Sequence, residues 1–361
     1  MRKAYLDNIR WGTVLLVVAY HVLYIFNASG VPGGIGGFSD VQYQDAPMYF
    51  VYPWFMVLLF VVAGMSSRYA LGKLTHKDFI SARTRKLLVP STIGLFVLQW
   101  LVGYFNMAAG GAFAQMGDVP GSIKYLIMVV SGIGPLWFVQ MLWLYSLLLV
   151  VLRKLDKRDK FYDLCGRAFG GKWGIVFLLL LALLVWGAAQ IGNVPVITVY
   201  RFGIYGVAFL LGYFVLSHDG VQETLETFAL PLGIAALALG IGYVICYFGQ
   251  NYTDAPSLQN LFTNLYLWVA ILAILGCGKK WLNGTSKFSA YMTKASFGIY
   301  ITHYLPLIAS AYLLKTYTSL PVPAIYLITA ICTFGGSILL YEVIRRIPVL
   351  RYCVLGIRKE G

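Results

Sequence analysis

Apolar side chains along this chain gather into blocks of about 15–25 positions that hold almost no charge, with the polar residues collected between them. At 1.5 Å per residue, a helix of that length crosses a ~30 Å hydrocarbon core. The blocks fall at 11–27, 48–67, 87–105, 135–152, 173–190, 202–217, 227–248, 259–277, 295–314 and 323–344. Lipid offers backbone N–H and C=O groups no partner, so each block is predicted to satisfy its own as a helix. The expected fold is all-α: a polytopic integral membrane protein of about ten transmembrane helices, with residues 1–361 forming a single membrane-embedded domain. No repeat at 20–50 residues is visible, and the two halves show no mutual similarity. The largest insert, 153–172, is basic and partly amphipathic and is expected to lie on the membrane surface.

Composition agrees: 59% of the 361 residues are hydrophobic and 12% charged, where a soluble chain carries roughly a quarter. Lys and Arg orient the spans, because they accumulate on the cytoplasmic side. Alternating the segments from a cytoplasmic start puts three on the N-terminus, six on 68–86, seven on 153–172, four on 278–294 and five on the tail, 25 of 28 in all. Lys124, Arg201 and Lys315 remain for the other face. Both termini are therefore expected in the cytoplasm. The 218–226 loop departs from the pattern, with three acids and no base. The net charge of +14 is thus a topological signal; its bases are dispersed over separate loops, without the aromatic interleaving of a nucleic-acid surface. The first block holds a His and lacks an A-x-A site, unlike a cleaved signal. Five cysteines without a C-x-x-C predict neither a disulfide framework nor a metal site.

Polar residues at depth are costly and so carry the functional information. His21 interrupts the run TVLLVVAYHVLYIF, and Arg10 stands eleven positions earlier. Eleven residues make three helical turns and ~20°, which puts both on one face, ~16 Å apart along the axis. An anionic ligand held at Arg10 would then place its far end at His21. The plainer reading is a packed structural histidine and an interface anchor, with Asp7 pairing Arg10. A second cluster, Arg83-Thr84-Arg85-Lys86, leads into Leu87-Leu88-Val89-Pro90 and suits an anion, since arginine binds phosphate bidentately; positive-inside anchoring is its alternative. His303 lies mid-span in SFGIYITHYLPLI, one turn after Tyr300, in a helix expected to break at Pro306. His76 and His218 are read as solvated loop residues. The stretch SGVPGGIGG (29–37) lacks the Lys-Ser/Thr of a phosphate loop and, with Asp40 and Asp45, reads as a flexible outer lid.

The opening YLDNIRWGTVLLVVAYH resembles the start of the membrane acyltransferase-3 family, in which an Arg or Lys precedes a catalytic His by ten intervening residues, as Arg10 precedes His21. The family's R-x-x-R element leading into L-x-x-P is similar to Arg83–Pro90, with Lys86 in the second basic place. That departure keeps the charge but loses the planar fork, and shifts weight to Arg85. PWFMVLLFVVAGM (53–65), GPLWFVQMLW (134–143), RFGIYGVAFLLGYF (201–214), SFGIYITHYLP (296–306) and YEVIRRIPVLRYCVLG (341–356) resemble further family blocks in order, so the likeness covers essentially the whole chain.

The resemblance implies a ten-helix core and O-acylation, with acetyl the expected group, of a glycan or other hydroxyl acceptor by acyl-CoA in a bacterial plasma membrane. Carried over, Arg10 and His21 are catalytic, and Arg83, Arg85, Lys86 and Arg10 meet the phosphates of coenzyme A. Trp137, Tyr300 and His303 line the substrate cavity, with Tyr300 or His303 polarising the carbonyl or holding the acceptor. Beside the resemblance, His21 as a neutral imidazole is expected to be the general base for the acceptor hydroxyl, with a covalent acyl-histidine as the alternative. The implied partners are acyl-CoA, the acceptor and membrane lipid; no metal is implied, and the oligomeric state is left open. A proton-coupled transporter or flippase using His21 and His303 is the competing class. It is disfavoured because carboxylates are scarce at depth, Glu342 being the one near a span.

Overall fold

Each of the ten apolar blocks is helical in the computed structural model, which describes residues 3–156, 158–194 and 198–358. Arg2, Lys157 and Lys359, three cations of the charge split, lie outside the described residues. No strand forms among the described residues; one isolated antiparallel bridge joins Asn193 and Arg201. Among the described residues, six helices are long and apolar enough to cross a membrane: Tyr43–Leu71, His76–Ala109, Gly134–Leu155, Ala229–Tyr247, Leu261–Trp281 and Val322–Ile344. Three bent pairs, Lys160–Phe169 with Gly174–Ala189, Phe202–Leu216 with Asp219–Thr227, and Lys287–Thr302 with Tyr304–Tyr317, bring the number to nine. The first expected span is the continuous helix Ala4–Tyr24, and Asp7, Asn8, Arg10 and His21 within it dilute its apolar character. The structure therefore supports a polytopic membrane protein of six to nine apolar spans plus this more polar first helix.

The helices assemble into two units, each built from three separate stretches: Met1–Thr13, Ala46–Ile80 and Leu144–Thr293 form one, and Val14–Asp45, Ser81–Trp143 and Lys294–Gly361 the other. In the first, small residues bring backbones together, as in membrane helix pairs generally. A Cβ on Gly64 would lie 2.0 Å from the Phe209 carbonyl oxygen, and one on Gly212 would lie 2.2 Å from that of Val61. His218, expected in solvent, instead stacks on Tyr162 with ring centroids 3.7 Å apart, and its Nε2 lies 3.1 Å from the Phe214 carbonyl oxygen. A 116° bend before Gly174 separates Lys160–Phe169 from the apolar helix that follows.

The second unit carries most of the candidate chemistry. Trp100–Ala109 and Gly121–Ser131 pack closely: a Cβ on Gly103 would fall 1.7 Å from the Met128 carbonyl oxygen, and one on Gly132 would fall 2.0 Å from that of Gln99. A core of Val22, Ile25, Phe26, Leu307, Ile308 and Ile325 joins the first helix to the last two spans. The broken ninth span bends by 49° at His303, three residues before the expected Pro306. Pro306 instead falls in the first turn of Tyr304–Tyr317, where a missing N–H costs nothing. The glycine-rich segment 29–37, expected to be a flexible lid, is pinned. Lys315 Nζ donates to the carbonyl oxygens of Ile35 and Gly37, each at 3.0 Å, and to that of Gly36. The buried Asp45 accepts from the Ala28 N–H at 3.0 Å. A lysine head group that satisfies three carbonyls fixes glycines that have no side chains to pack.

Candidate active site

His21 reaches its position because Ala4–Tyr24 is one unbroken helix with no glycine or proline beyond Gly12. Its ring lies among aromatic side chains of the same unit: Tyr20, Tyr24 and Tyr304 meet it edge-on with centroids 5.3, 5.8 and 5.4 Å away, and His303 lies at 5.0 Å. The sequence pointed to His21 and His303 separately; the fold makes them a pair. His303 Nε2 stands 3.3 Å from His21 Nδ1.

Hydrogen-bond partners assign the protons on these rings. A carbonyl oxygen can only accept, so a ring nitrogen facing one must carry hydrogen. His303 Nδ1 faces the Tyr300 carbonyl oxygen at 2.7 Å, and His21 Nδ1 faces that of Val17 at 2.8 Å. Both Nδ1 atoms are therefore N–H. In the neutral rings both Nε2 atoms then carry lone pairs. His303 Nε2 accepts a share of the His21 Nδ1–H, and among the described residues His21 Nε2 has no hydrogen-bond partner. His303 is completely buried, whereas His21 keeps part of its surface exposed. The arrangement leaves one ring nitrogen of a partly exposed histidine without a partner among the described residues, backed by a fully buried second ring.

The bend that presents His303 is anchored at three successive residues. Tyr300 donates its hydroxyl to the Pro135 carbonyl oxygen (2.5 Å), Gln99 Nε2 donates to that of Ile301 (3.0 Å), and Thr302 Oγ1 bonds that of Ser337 (3.0 Å). Side chains held by packing and outer hydrogen bonds keep a site's geometry fixed. Phe138 packs on Tyr300 with centroids 5.6 Å apart, and the neighbouring Trp137 is buried. Tyr300 thus spends its hydroxyl on the scaffold.

Arg85 and Lys86 lie on a wide helical turn, Thr84–Leu88, where the Val89 N–H bonds back to the Thr84 carbonyl oxygen. Pro90 explains the widening: it has no N–H for the Lys86 carbonyl and its ring crowds that oxygen. Trp143 Nε1 donates to Thr84 Oγ1 (3.0 Å), and Gln140 Nε2 donates to the Ser91 carbonyl oxygen (3.1 Å). Gln140 and Trp143 follow Trp137 at successive three-residue steps on one helix face, a spacing that could have singled them out. The C-terminal helix Pro348–Leu355 ends on the same turn. Its left-handed cap, Gly356 (φ 63°), would put a Cβ 2.2 Å from the Arg85 carbonyl oxygen. Among the described residues, the buried Arg85 Nε has no hydrogen-bond partner, and neither has Arg351 Nε on that last helix. Lys86 Nζ lies 5.4 Å from the Phe297 ring. Arg10 is paired with Asp7 at 2.7 Å, as its spacing predicted, and belongs to the other unit. No group of three His, Cys, Asp or Glu residues able to hold a metal occurs among the described residues.

Comparison with known proteins follows the same outline. Residues 3–342 match the family model described as an acyltransferase domain. Curated relatives include "Glucans biosynthesis protein C" of Escherichia coli O17:K52:H18 (strain UMN026 / ExPEC), 24% identical, with 98% of this chain and 94% of that protein covered. The proteins of that name from Shigella boydii serotype 4 (strain Sb227) and Escherichia coli (strain K12) are each 23% identical over the same shares. No solved structure matches the chain.

Proposed function

Because the chain belongs to the acyltransferase family whose model spans nearly its whole length, we propose that it is a bacterial plasma-membrane O-acyltransferase that acylates a glucan. The acyl group, acetyl in the first instance, comes from acyl-CoA. The acceptor class rests on the name of the relatives. The catalytic reading rests on one observation: His21 turns Nδ1 to the Val17 carbonyl oxygen, while its Nε2 has no partner among the described residues and belongs to a partly exposed ring.

His21 Nε2 takes the proton of the acceptor hydroxyl as that oxygen attacks the thioester carbonyl carbon. The tetrahedral intermediate expels the sulfur of coenzyme A, the C–S bond breaks as the C–O bond is made, and the imidazolium returns its proton to the thiolate. General-base assistance of this kind is worth about 10²–10⁴-fold. Arg83, Arg85 and Lys86 hold the phosphates of the donor. The buried Nε of Arg85, which has no acceptor, is a donor that a phosphate oxygen would satisfy. Lys86 supplies charge without the guanidinium fork. Trp137 and Tyr300 shape the wall, Tyr300 through its bond to Pro135.

Purified protein in nanodiscs, given labelled acetyl-CoA and a soluble glucan, is expected to release free thiol in step with label appearing as base-labile ester on the glucan. Thiol release that is unchanged by the glucan, with no label on it, would overturn the acceptor assignment.

A further inference from the structure

The histidine pair does more than place a base. We propose that His303 is a positioning residue for the reaction, acting through His21 in the part that a carboxylate plays behind many catalytic histidines. The proposal rests on the general-base reading of His21 and extends it.

Three observations carry it. His303 Nδ1 is committed as a donor to the Tyr300 carbonyl oxygen at 2.7 Å, so in the neutral ring Nε2 can only accept. That Nε2 faces His21 Nδ1 at 3.3 Å and leaves His21 Nε2, the proposed base, free of the contact. His303 is fully buried, so it has no surface to offer an acceptor or a thioester. A ring with both nitrogens spent and no accessible atom is not a substrate ligand, but it is well placed to hold a neighbour.

Two consequences follow for the chemistry. In the resting state the Val17 carbonyl and His303 Nε2 together keep hydrogen on His21 Nδ1 and leave Nε2 basic. Two acceptors from different helices also fix the ring's rotation about χ2, which one carbonyl in its own helix would not. When Nε2 takes the acceptor's proton, the new positive charge is shared through the Nδ1–H toward the His303 lone pair. That ring passes polarisation on through its own N–H to the Tyr300 carbonyl. Charge-assisted hydrogen bonds are roughly twice as strong as neutral ones, so the contact tightens as charge develops. An interaction stronger in the transition state than in the ground state raises kcat and leaves KM unchanged. The triple anchoring of residues 300–302 holds this second ring still while the first works.

The test compares three replacements. His303→Phe keeps ring packing and removes both nitrogens; His303→Gln offers an amide oxygen near the place of Nε2; His303→Met fills the same buried length with no comparable acceptor. Thermal melting of each in detergent controls for folding. The Phe and Met variants are expected to lose about 10²-fold in kcat, with KM for acetyl-CoA within twofold of wild type, and Gln to exceed Met by at least tenfold. If Phe does not fold, the Gln–Met comparison carries the test. A kcat for Phe or Met within threefold of wild type, or equal kcat for folded Gln and Met, overturns the proposal. The His21→Ala variant is run beside them. If it keeps wild-type turnover, the general-base reading fails; if it is inactive while Phe or Met is active, only the role of His303 fails.

Discussion

At the scale of single residues, the proposed role of His21 turns on which ring nitrogen carries hydrogen, and two backbone carbonyls decide it. His21 stood out in the sequence because it interrupts an apolar run with no charge beside it. Its partner could not be read from the sequence, since His303 is 282 positions away and only the fold brings them together. Separation along the chain also hid the task of Tyr300. As a hydroxyl next to a histidine it suggested a substrate ligand, whereas its proton goes to Pro135, 165 positions away. Tyr300→Phe is therefore expected to act on stability. Leaving the Pro135 oxygen without its donor costs about 1–3 kcal/mol. The variant should melt at a lower temperature, with KM for acetyl-CoA unchanged. A KM raised tenfold at an unaltered melting temperature would return the hydroxyl to the substrate.

At the scale of elements, blocks of apolar residues announced their helices, while breaks and close approaches were harder to place. Proline marked the ninth span as broken, yet the bend falls at His303 because a proline is accommodated in the first turn of the helix that follows it. Pro90 left a subtler mark, a widened turn that carries Arg85 and Lys86. Glycine content hinted at tight packing but not at which pairs meet. The approach of Gly103 to the Met128 backbone makes a sharp prediction. Gly103→Val forces Trp100–Ala109 away from Gly121–Ser131 at an overpacking cost of at least about 1–3 kcal/mol. Its melting temperature in detergent should fall clearly below that of Gly12→Ala, where nothing lies within 4 Å of the added Cβ. Equal melting temperatures would show that the two helices are not held backbone to backbone.

At the scale of the whole molecule, the distribution of Lys and Arg was legible in the sequence, and the proposed orientation and donor site are both argued from it. The division into two units was not, because each is assembled from three separated stretches and no local pattern marks where one gives way to the other. The family match agrees with the resemblance carried by the Arg10–His21 spacing and the Arg83–Pro90 block. If the basic turn holds the donor's phosphates, Arg83→Ala and Lys86→Ala should each weaken the Kd for coenzyme A by about tenfold, the loss of one charge-assisted hydrogen bond. Arg85→Ala should weaken it at least as much. Isothermal titration at two salt concentrations would report this, and unchanged values for all three would make them membrane anchors.

The most direct test of the central claim is the turnover number of purified His21→Ala, measured as thiol released from acetyl-CoA in the presence of a glucan acceptor. If His21 is the general base, turnover falls about 10²–10⁴-fold with the melting temperature and coenzyme A affinity retained. Turnover within a few-fold of wild type in the folded variant would contradict it.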